Sequence, residues 1–460
     1  MLAGTASLMN RQVSSWVRQG GLLGTLAVLL PSTALGWSNH PLCTWQAVAV
    51  MPGMAERVVT AETLGSFLGD VSDRLPAALE GEEIWARAHL PFYAPRPDAL
   101  RFGGASAVGK DAASLRAGFV HAIRVNEGMM LDLYVQRLPG VGVPAERVLP
   151  WSSASVLESL EDTEAGSLER VSEGDVLRVA DVVATATNEP DLGLDIGLWA
   201  DSGSAQGGRY GYGAQPFGNP HLSYGTQAPF HMGFYHESGL VYRAAGYLQH
   251  TYPEARIHLF MTLSRFAFAQ GHPYWGWRFA GWAIHYVQDL GQPYHARVLP
   301  GVGALTMVGI GALDMLGIHG PQVAAVTRVT NRHIVLENYQ YRRMSAAYRA
   351  HDMDDPLLAA LRDTSDDGSL ERLGASSVRE IVSAQSAAVA DELDAQLVRI
   401  FPDADVVVAD AADLDMNSVS RRAPAAEQAS MTRLVADRMR QVGRDTRAVI
   451  RVLDPEGVGR

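Results

Sequence analysis

Two histidines and an aspartate stand close together in HYVQDLGQPYHA, residues 285–296. His285 and Asp289 are four positions apart, so on a helix their side chains share one face and can reach one metal ion. Pro293 removes a backbone donor and ends such a helix, which places His295 on the following turn, where it can face a second ion. The stretch therefore predicts ligands for more than one metal.

The same spacing recurs in NRHIVLENYQ, where His333 and Glu337 are four positions apart. Together with His295 they would make a three-ligand zinc site with one position open for water or substrate. A single pair of this kind is common on solvated helix faces, and that is the alternative interpretation of each pair. The recurrence favours a metal site.

The composition limits the ligands and the partners. Cys43 is the only cysteine among 460 residues, which excludes a disulfide within the chain and a cysteine zinc cage and leaves His, Asp and Glu. The net charge of −12 disfavours nucleic acid as a bulk partner. A bound metal would reverse the sign of the field locally.

The elements that would hold these residues are helices. Apolar residues recur at helical spacing in several segments, for example in VREIVSAQSAAVADELDAQLVRIF, and few segments alternate with period two. Trp275, Phe279, Trp282 and Tyr286 form one aromatic stripe beside the first pair, which predicts core packing. We therefore expect an all-α fold.

Two segments depart from the helical pattern. Residues 187–230 are rich in Gly, Pro and aromatic residues, and a loop this long inside a domain is usually functional or disordered. Residues 301–318, GVGALTMVGIGALDMLGI, are apolar but interrupted by Asp314, which makes them a poor membrane span. We expect a buried helical hairpin there, with a lid or an interfacial element as the alternative.

The beginning of the chain has the features of an export signal. Arg11 and Arg18 precede the apolar run GGLLGTLAVLLPSTALG, which ends with small residues at Ala34 and Gly36. Residues 1–36 are therefore predicted to be a signal peptide, and the mature protein is predicted to be periplasmic or secreted and to begin at Trp37.

HYVQDLGQPYHA and a mature start at tryptophan resemble the zinc-dependent bacterial phospholipase C and S1/P1 nuclease superfamily. Members of that superfamily are exported α-helical proteins with three zinc ions, and the first tryptophan of the mature chain binds metal through its amino group and carbonyl. The resemblance implies a multi-helix domain over residues 37–401, in which residues 44–180 have no placed counterpart. Residues 402–460 would form a helical extension and tail.

The resemblance also implies nine metal ligands in three sets. Trp37 and His40 would bind one zinc ion together with Asp289, which bridges to the second. The residues implied for the second ion are Asp191, His231 and His285. Those implied for the third are His295, His333 and Glu337. Asp195 and Asp201 remain alternatives to Asp191, and His236 remains an alternative to His231. Glutamate at 337 is more like the phospholipase branch than the nuclease branch.

The function implied is hydrolysis of a phosphodiester, with a phospholipid or its head group as substrate and with contact to a membrane surface. Zinc makes water acidic enough to act as hydroxide near neutral pH, and Asp191 would orient or deprotonate that water. Two alternatives stay open. One is a nuclease or nucleotidase, whose substrate base would stack on tyrosines of residues 187–230, the aromatic loop. The other is a non-catalytic, zinc-stabilised envelope protein.

Overall fold

The computed structural model describes residues 39–103, 111–157, 166–220, 223–370, 373–374, 377–402 and 422–457. Most of these residues are helical, which confirms the all-α prediction. The predicted signal peptide and Trp37 lie outside the described residues. Within the described part of the chain, no helix combines the length and the apolar character needed to cross a membrane.

The α-helices are numbered here in chain order. They are α1 His40–Ala49, α2 Leu64–Val71, α3 Leu75–His89, α4 Ala112–Ile123, α5 Val179–Ala186, α6 Gly207–Tyr210, α7 Ala228–His231, α8 Gly239–Ala244, α9 Pro253–Ala269, α10 Pro273–Leu290, α11 Pro293–Ala296, α12 Ala304–Met315, α13 Gly320–Arg349, α14 Pro356–Arg362, α15 Ala384–Ile400 and α16 Ala425–Leu453. Two π-helical turns, Pro190–Leu194 and Val378–Ser383, interrupt the α-helical pattern.

The strands form two small antiparallel sheets. They are β1 Val58–Thr60 with β4 Val176–Arg178, and β2 Tyr134–Gln136 with β3 Leu168–Arg170. All four strands belong to the segment 44–180, for which the resemblance offered no counterpart. Residues of this segment, including Phe67, Phe119 and Val179, are buried in the same apolar cluster as those of α10. The segment is therefore part of the main core.

Helix α10 lies at the centre of the molecule. Every residue from Tyr274 to Leu290 is buried, and α1, α5, α9 and α16 pack against this helix. Gly281 permits the closest of these approaches, because a Cβ atom there would lie 2.5 Å from Cβ of Ala186 on α5. The predicted aromatic stripe from Trp275 to Tyr286 is confirmed as core.

The C-terminal helix also belongs to the core. Met431, Val435, Met439 and Val442 of α16 repeat at helical spacing and are buried in a second apolar cluster with residues of α13, α14 and α15. Further along, α16 reaches α1 and α10. The described part of residues 402–460 thus forms a helix that packs within the bundle.

Helix α12 forms within residues 301–318, but the expectation that its apolar side chains are buried is wrong. Leu305 is 78% exposed and Met315 is 82% exposed, whereas Asp314 is buried. The helix lies against α8 and α13. Hydropathy alone predicted burial, but among the described elements none covers the face that carries Leu305 and Met315.

Candidate metal centre

All of the predicted ligands that the structure describes converge at the junction of α10 with α11. Potential ligand atoms lie within 4.8 Å of one another in three sets, and every residue in these sets is buried. The sets are His40, His285 and Asp289; Asp191, His231 and His285; and His295, His333 and Glu337. Their grouping follows the one implied by the resemblance, with His285 shared between the first two sets.

The first set is built at the start of α1. His40 is the first residue of this helix, and the side chain of Asn39 caps it. The His40 ring donates from Nδ1 to Oε1 of Gln288, 2.7 Å away, and its Nε2 lies 3.5 Å from Oδ1 of Asp289 and 3.6 Å from Oδ2 of Asp191. Burial lowers the pKa of His40, but the nearby carboxylate of Asp289 outweighs burial and raises it.

The second set joins α5, α7 and α10. Asp191 lies in the π-helical turn that follows α5, with Oδ1 3.7 Å from Nδ1 of His231 and 3.7 Å from Nε2 of His285. Oδ2 of Asp289 lies 2.8 Å from Nδ1 of His231 and 3.2 Å from Nε2 of His285. The two oxygens of Asp289 thus face different sets, which is the geometry that a bridging carboxylate requires.

Asp195, the nearest competitor of Asp191, has other partners. It accepts hydrogen bonds of 2.6 Å from both Arg256 and Tyr286. Burial raises the pKa of Asp195, but the charge of Arg256 and the hydrogen bonds outweigh burial and hold it below its usual value. Asp195 stands 3.4 Å from Nε2 of His231, on the side of the ring away from Asp289. It therefore orients the ring of His231 through Nε2, which leaves Nδ1 facing Asp289.

The other two competitors lie outside the three sets. Asp201 accepts a hydrogen bond from the backbone N–H of Gln215. Nε2 of His236 pairs with the carbonyl oxygen of Arg379. The structure thus brings Asp191 and His231 into the cluster and leaves Asp201 and His236 out of it.

The third set joins α11 and α13. Pro293 starts the short helix α11 directly after α10, as predicted, and turns His295 toward α13. Nε2 of His295 lies 3.1 Å from Nε2 of His333, which lies 2.5 Å from Oε1 of Glu337. Burial raises the pKa of Glu337 well above its usual value and lowers that of His333. Nδ1 of His295 is also only 3.8 Å from Oδ1 of Asp289, so this set adjoins the others.

Hydrogen bonds to fixed acceptors set the tautomers of three of these histidines. The partner of Nδ1 is Oε1 of Gln288 for His40, the carbonyl of Thr187 at 2.8 Å for His285, and the carbonyl of His231 at 3.0 Å for His295. An acceptor at Nδ1 requires the proton there, so each Nε2 presents a lone pair to the cluster. Metal-binding histidines are typically held in this way.

Several buried atoms of the cluster have no hydrogen-bond partner among the described residues. They include Nε2 of His40, Oδ1 of Asp191 and Oδ1 of Asp289. Leaving buried polar atoms unpaired is costly, and here lone pairs face one another across the site. Cations between them would satisfy these atoms. Imidazole nitrogens combined with carboxylate oxygens are ligands that zinc accepts. The buried groups at this junction could therefore hold metal ions.

Sequence reasoning missed the residues that orient the ligands. Gln288 and Gln292 both lie inside the motif, and Gln292 donates to Glu337 over 3.2 Å. Their position beside ligands was the only available indication, because their partners are distant in sequence. No family model, no curated protein and no solved structure matches this chain. The interpretation of the site depends on its geometry.

Proposed function

We propose that this protein is an exported zinc-dependent phosphoesterase that binds three zinc ions and hydrolyses a phosphodiester in the manner of phospholipase C. The observation that carries the proposal is the presence of three adjoining buried donor sets, two of which face the two oxygens of Asp289. A single structural metal would need only one such set. Adjacent sets suit a cluster that grips one anionic substrate.

The charge balance supports a phosphate ester as the substrate. Three zinc ions would carry a total charge of about +6. The described cluster contains three carboxylates, Asp191, Asp289 and Glu337. The excess of positive charge suits a phosphodiester anion. Zinc in such a site supplies Lewis acidity, which makes water a nucleophile at neutral pH and neutralises charge on phosphoryl oxygens.

The chain's own residues would hold and orient the reactants. Oδ1 of Asp191 has no hydrogen-bond partner among the described residues and faces the rings of His231 and His285. We assign to it the role of orienting the attacking water and accepting its proton. Gln292 keeps Glu337 in place from within the motif. Because the cluster is buried, bulk water is excluded and the charges act more strongly than at the surface.

A small apolar cavity lies beside the third set. Its volume is about 40 Å³, and its lining includes His333, Tyr294, Phe217 and Val298. The nuclease alternative expected exposed tyrosines in the aromatic loop. Tyr210 of this loop is fully buried and donates to the carbonyl of Val125, so its ring offers no surface on which a base could stack. Tyr212 is half-buried, with its ring packed against Trp199 and Phe230.

The first test combines N-terminal sequencing and metal analysis of the exported protein. We expect a mature start at Trp37, three zinc ions per chain and loss of activity on chelation. Lecithin, single-stranded DNA and a soluble phosphodiester would be compared as substrates, and we expect hydrolysis of lecithin. Three bound zinc ions with no hydrolysis of any substrate would refute the enzymatic proposal and support the envelope-protein alternative. Fewer than two bound metal ions would refute the cluster.

A further inference from the structure

The α12 hairpin, defined as residues 301–323, is an exposed apolar projection. Leu305 and Leu316 are 78% and 77% exposed, and Met315, Ile318 and Val323 are also exposed. Leu240, on the helix α8 that packs against α12, is 49% exposed. Contiguous exposed apolar side chains of this kind mark an interaction surface.

The hairpin carries almost no charge. Residues 301–323 contain no Lys or Arg, and Asp314 is their only acidic residue. Asp314 is buried and lies 2.6 Å from Nδ1 of His319, so its carboxylate is turned away from solvent and paired. The exposed side chains of the hairpin are therefore mainly aliphatic and methionine side chains separated by glycine, with no charged side chain among them.

The inner side of the hairpin leads to the candidate metal centre. Ala304 and Met307 pack on an apolar cluster that includes Phe217 and Phe234. The same two phenylalanines line the cavity that ends at His333, a residue of the third donor set. Apolar groups thus continue from the exposed tip, through the cluster, to the cavity beside a predicted metal ligand.

We infer that the α12 hairpin inserts into the surface of a zwitterionic phospholipid layer and places the apolar cavity beside His333 over the lipid. This inference rests on the proposed function, because it explains how an aggregated lipid would reach the site. A helix of 12 residues is too short to span a bilayer. It is long enough to lie in the interface with its apolar face among the acyl chains.

A lipid surface fits this face better than a second copy of the chain or another protein. Protein interfaces have a polar rim with hydrogen bonds and are enriched in Tyr, Trp and Arg at their centres. Residues 301–323 contain none of these three residue types. The net charge of −12 opposes approach to an anionic membrane, and the hairpin has no basic residue to offset it. The complementary surface is therefore apolar beneath neutral head groups.

The test uses the mature, zinc-loaded protein and vesicles of a phosphonate analogue of phosphatidylcholine, which cannot be hydrolysed. The variant Leu305→Ser/Leu316→Ser removes two exposed side chains of the hairpin. Its matched control is Ile84→Ser/Val176→Ser, at positions 61% and 67% exposed elsewhere on the molecule. We expect about tenfold weaker vesicle binding for each inserted leucine removed, and no change for the control. Wild-type binding should weaken when anionic lipid is added.

Activity separates this inference from the proposed function. The hairpin variant should hydrolyse a monomeric short-chain phosphatidylcholine at the wild-type rate but lose hydrolysis of vesicles. Equal vesicle binding by the variant and the wild type would overturn the inference, even if hydrolysis is observed. A wild-type dimer that the hairpin substitutions dissociate would also overturn it in favour of a second copy. If the variant loses vesicle binding and neither the variant nor the wild type hydrolyses lipid, the role of the hairpin is supported. The proposed phosphoesterase activity is then refuted.

Discussion

Replacing Asp289 by asparagine should remove two metal ions together. The side chain is fully buried, and its two oxygens face different ligands: Oδ1 lies 3.5 Å from Nε2 of His40, and Oδ2 lies 2.8 Å from Nδ1 of His231. Asparagine has the same shape, but it replaces one oxygen with an NH₂ group that has no lone pair to give. The variant also loses the negative charge between two cations. Both of the first two sets are therefore weakened.

The size of the effect follows from known losses at metal sites. Removing a residue that only orients a ligand costs about 10–100-fold in metal affinity, so removing a ligand itself should cost at least about 1.4–2.7 kcal/mol at each ion. After dialysis against zinc that just saturates the wild type, we expect one zinc ion per chain in place of three. The remaining ion would be held by His295, His333 and Glu337, which do not depend on Asp289.

Elemental analysis of zinc per chain, with circular dichroism to confirm folding, measures this directly. Asp445→Asn is the matched control, because Asp445 is also a buried aspartate but pairs with Arg444 and belongs to none of the three sets. The control should keep three ions. A folded Asp289→Asn protein with three zinc ions would refute the assignment of the cluster, and one with two would refute the bridging role.

Three further outcomes are expected. Burial raises the pKa of Asp445 to about 6 despite Arg444, so its protonation stabilises the fold below about pH 4 and this stabilisation is lost as the pH rises through about 6. In urea unfolding, the wild type should therefore lose about 1–3 kcal/mol between pH 4 and pH 7, and Asp445→Asn should remove this dependence. Asp195→Asn should weaken zinc binding about 10–100-fold in chelator competition, because it removes the carboxylate behind His231; unchanged affinity would contradict this role. Gly281→Ala should destabilise by about 1–3 kcal/mol, since its Cβ would meet α5, whereas Gly81→Ala, which faces open space, should stabilise slightly; equal unfolding midpoints would contradict the close approach.

The parts of the site that depend on local geometry could be predicted from the sequence. His285 and Asp289 share a helix face because they are four residues apart. Pro293 has no backbone N–H to continue the helix, so a new helix begins there. The pair on α13 follows the same rule. These relations hold without knowledge of the rest of the fold, so the spacing was sufficient to predict them.

The choice between Asp191 and Asp195 could not be predicted in this way. In a regular helix both carboxylates would lie on one face, but Gly193 between them has φ 124° within the π-helical turn. The two side chains consequently have different partners, and only tertiary contacts decide which of them meets the histidines. Asp195 is taken up by Arg256 and Tyr286, which lie far away in sequence.

The exposure of the α12 hairpin could not be predicted for a similar reason. Its composition is that of a buried helix, and burial depends on whether another element is available to cover it. That information is distributed over α8, α13 and the apolar cluster beneath them. The same dependence on distant partners applies to α16, whose apolar face indicated a helix but not its position against α1 and α10.

The amide of Gln288 connects the two ends of the described chain. Its oxygen accepts from His40, and its nitrogen donates to Thr44 of α1 and to Thr446 of α16 over 2.8 and 2.9 Å. The orientation of a histidine near the start of the fold thus depends on a helix that is synthesised long after it. A truncated product without α16 would lack that support and would load metal poorly. Metal acquisition would then discriminate against unfinished polypeptides, a form of quality control that requires no separate factor.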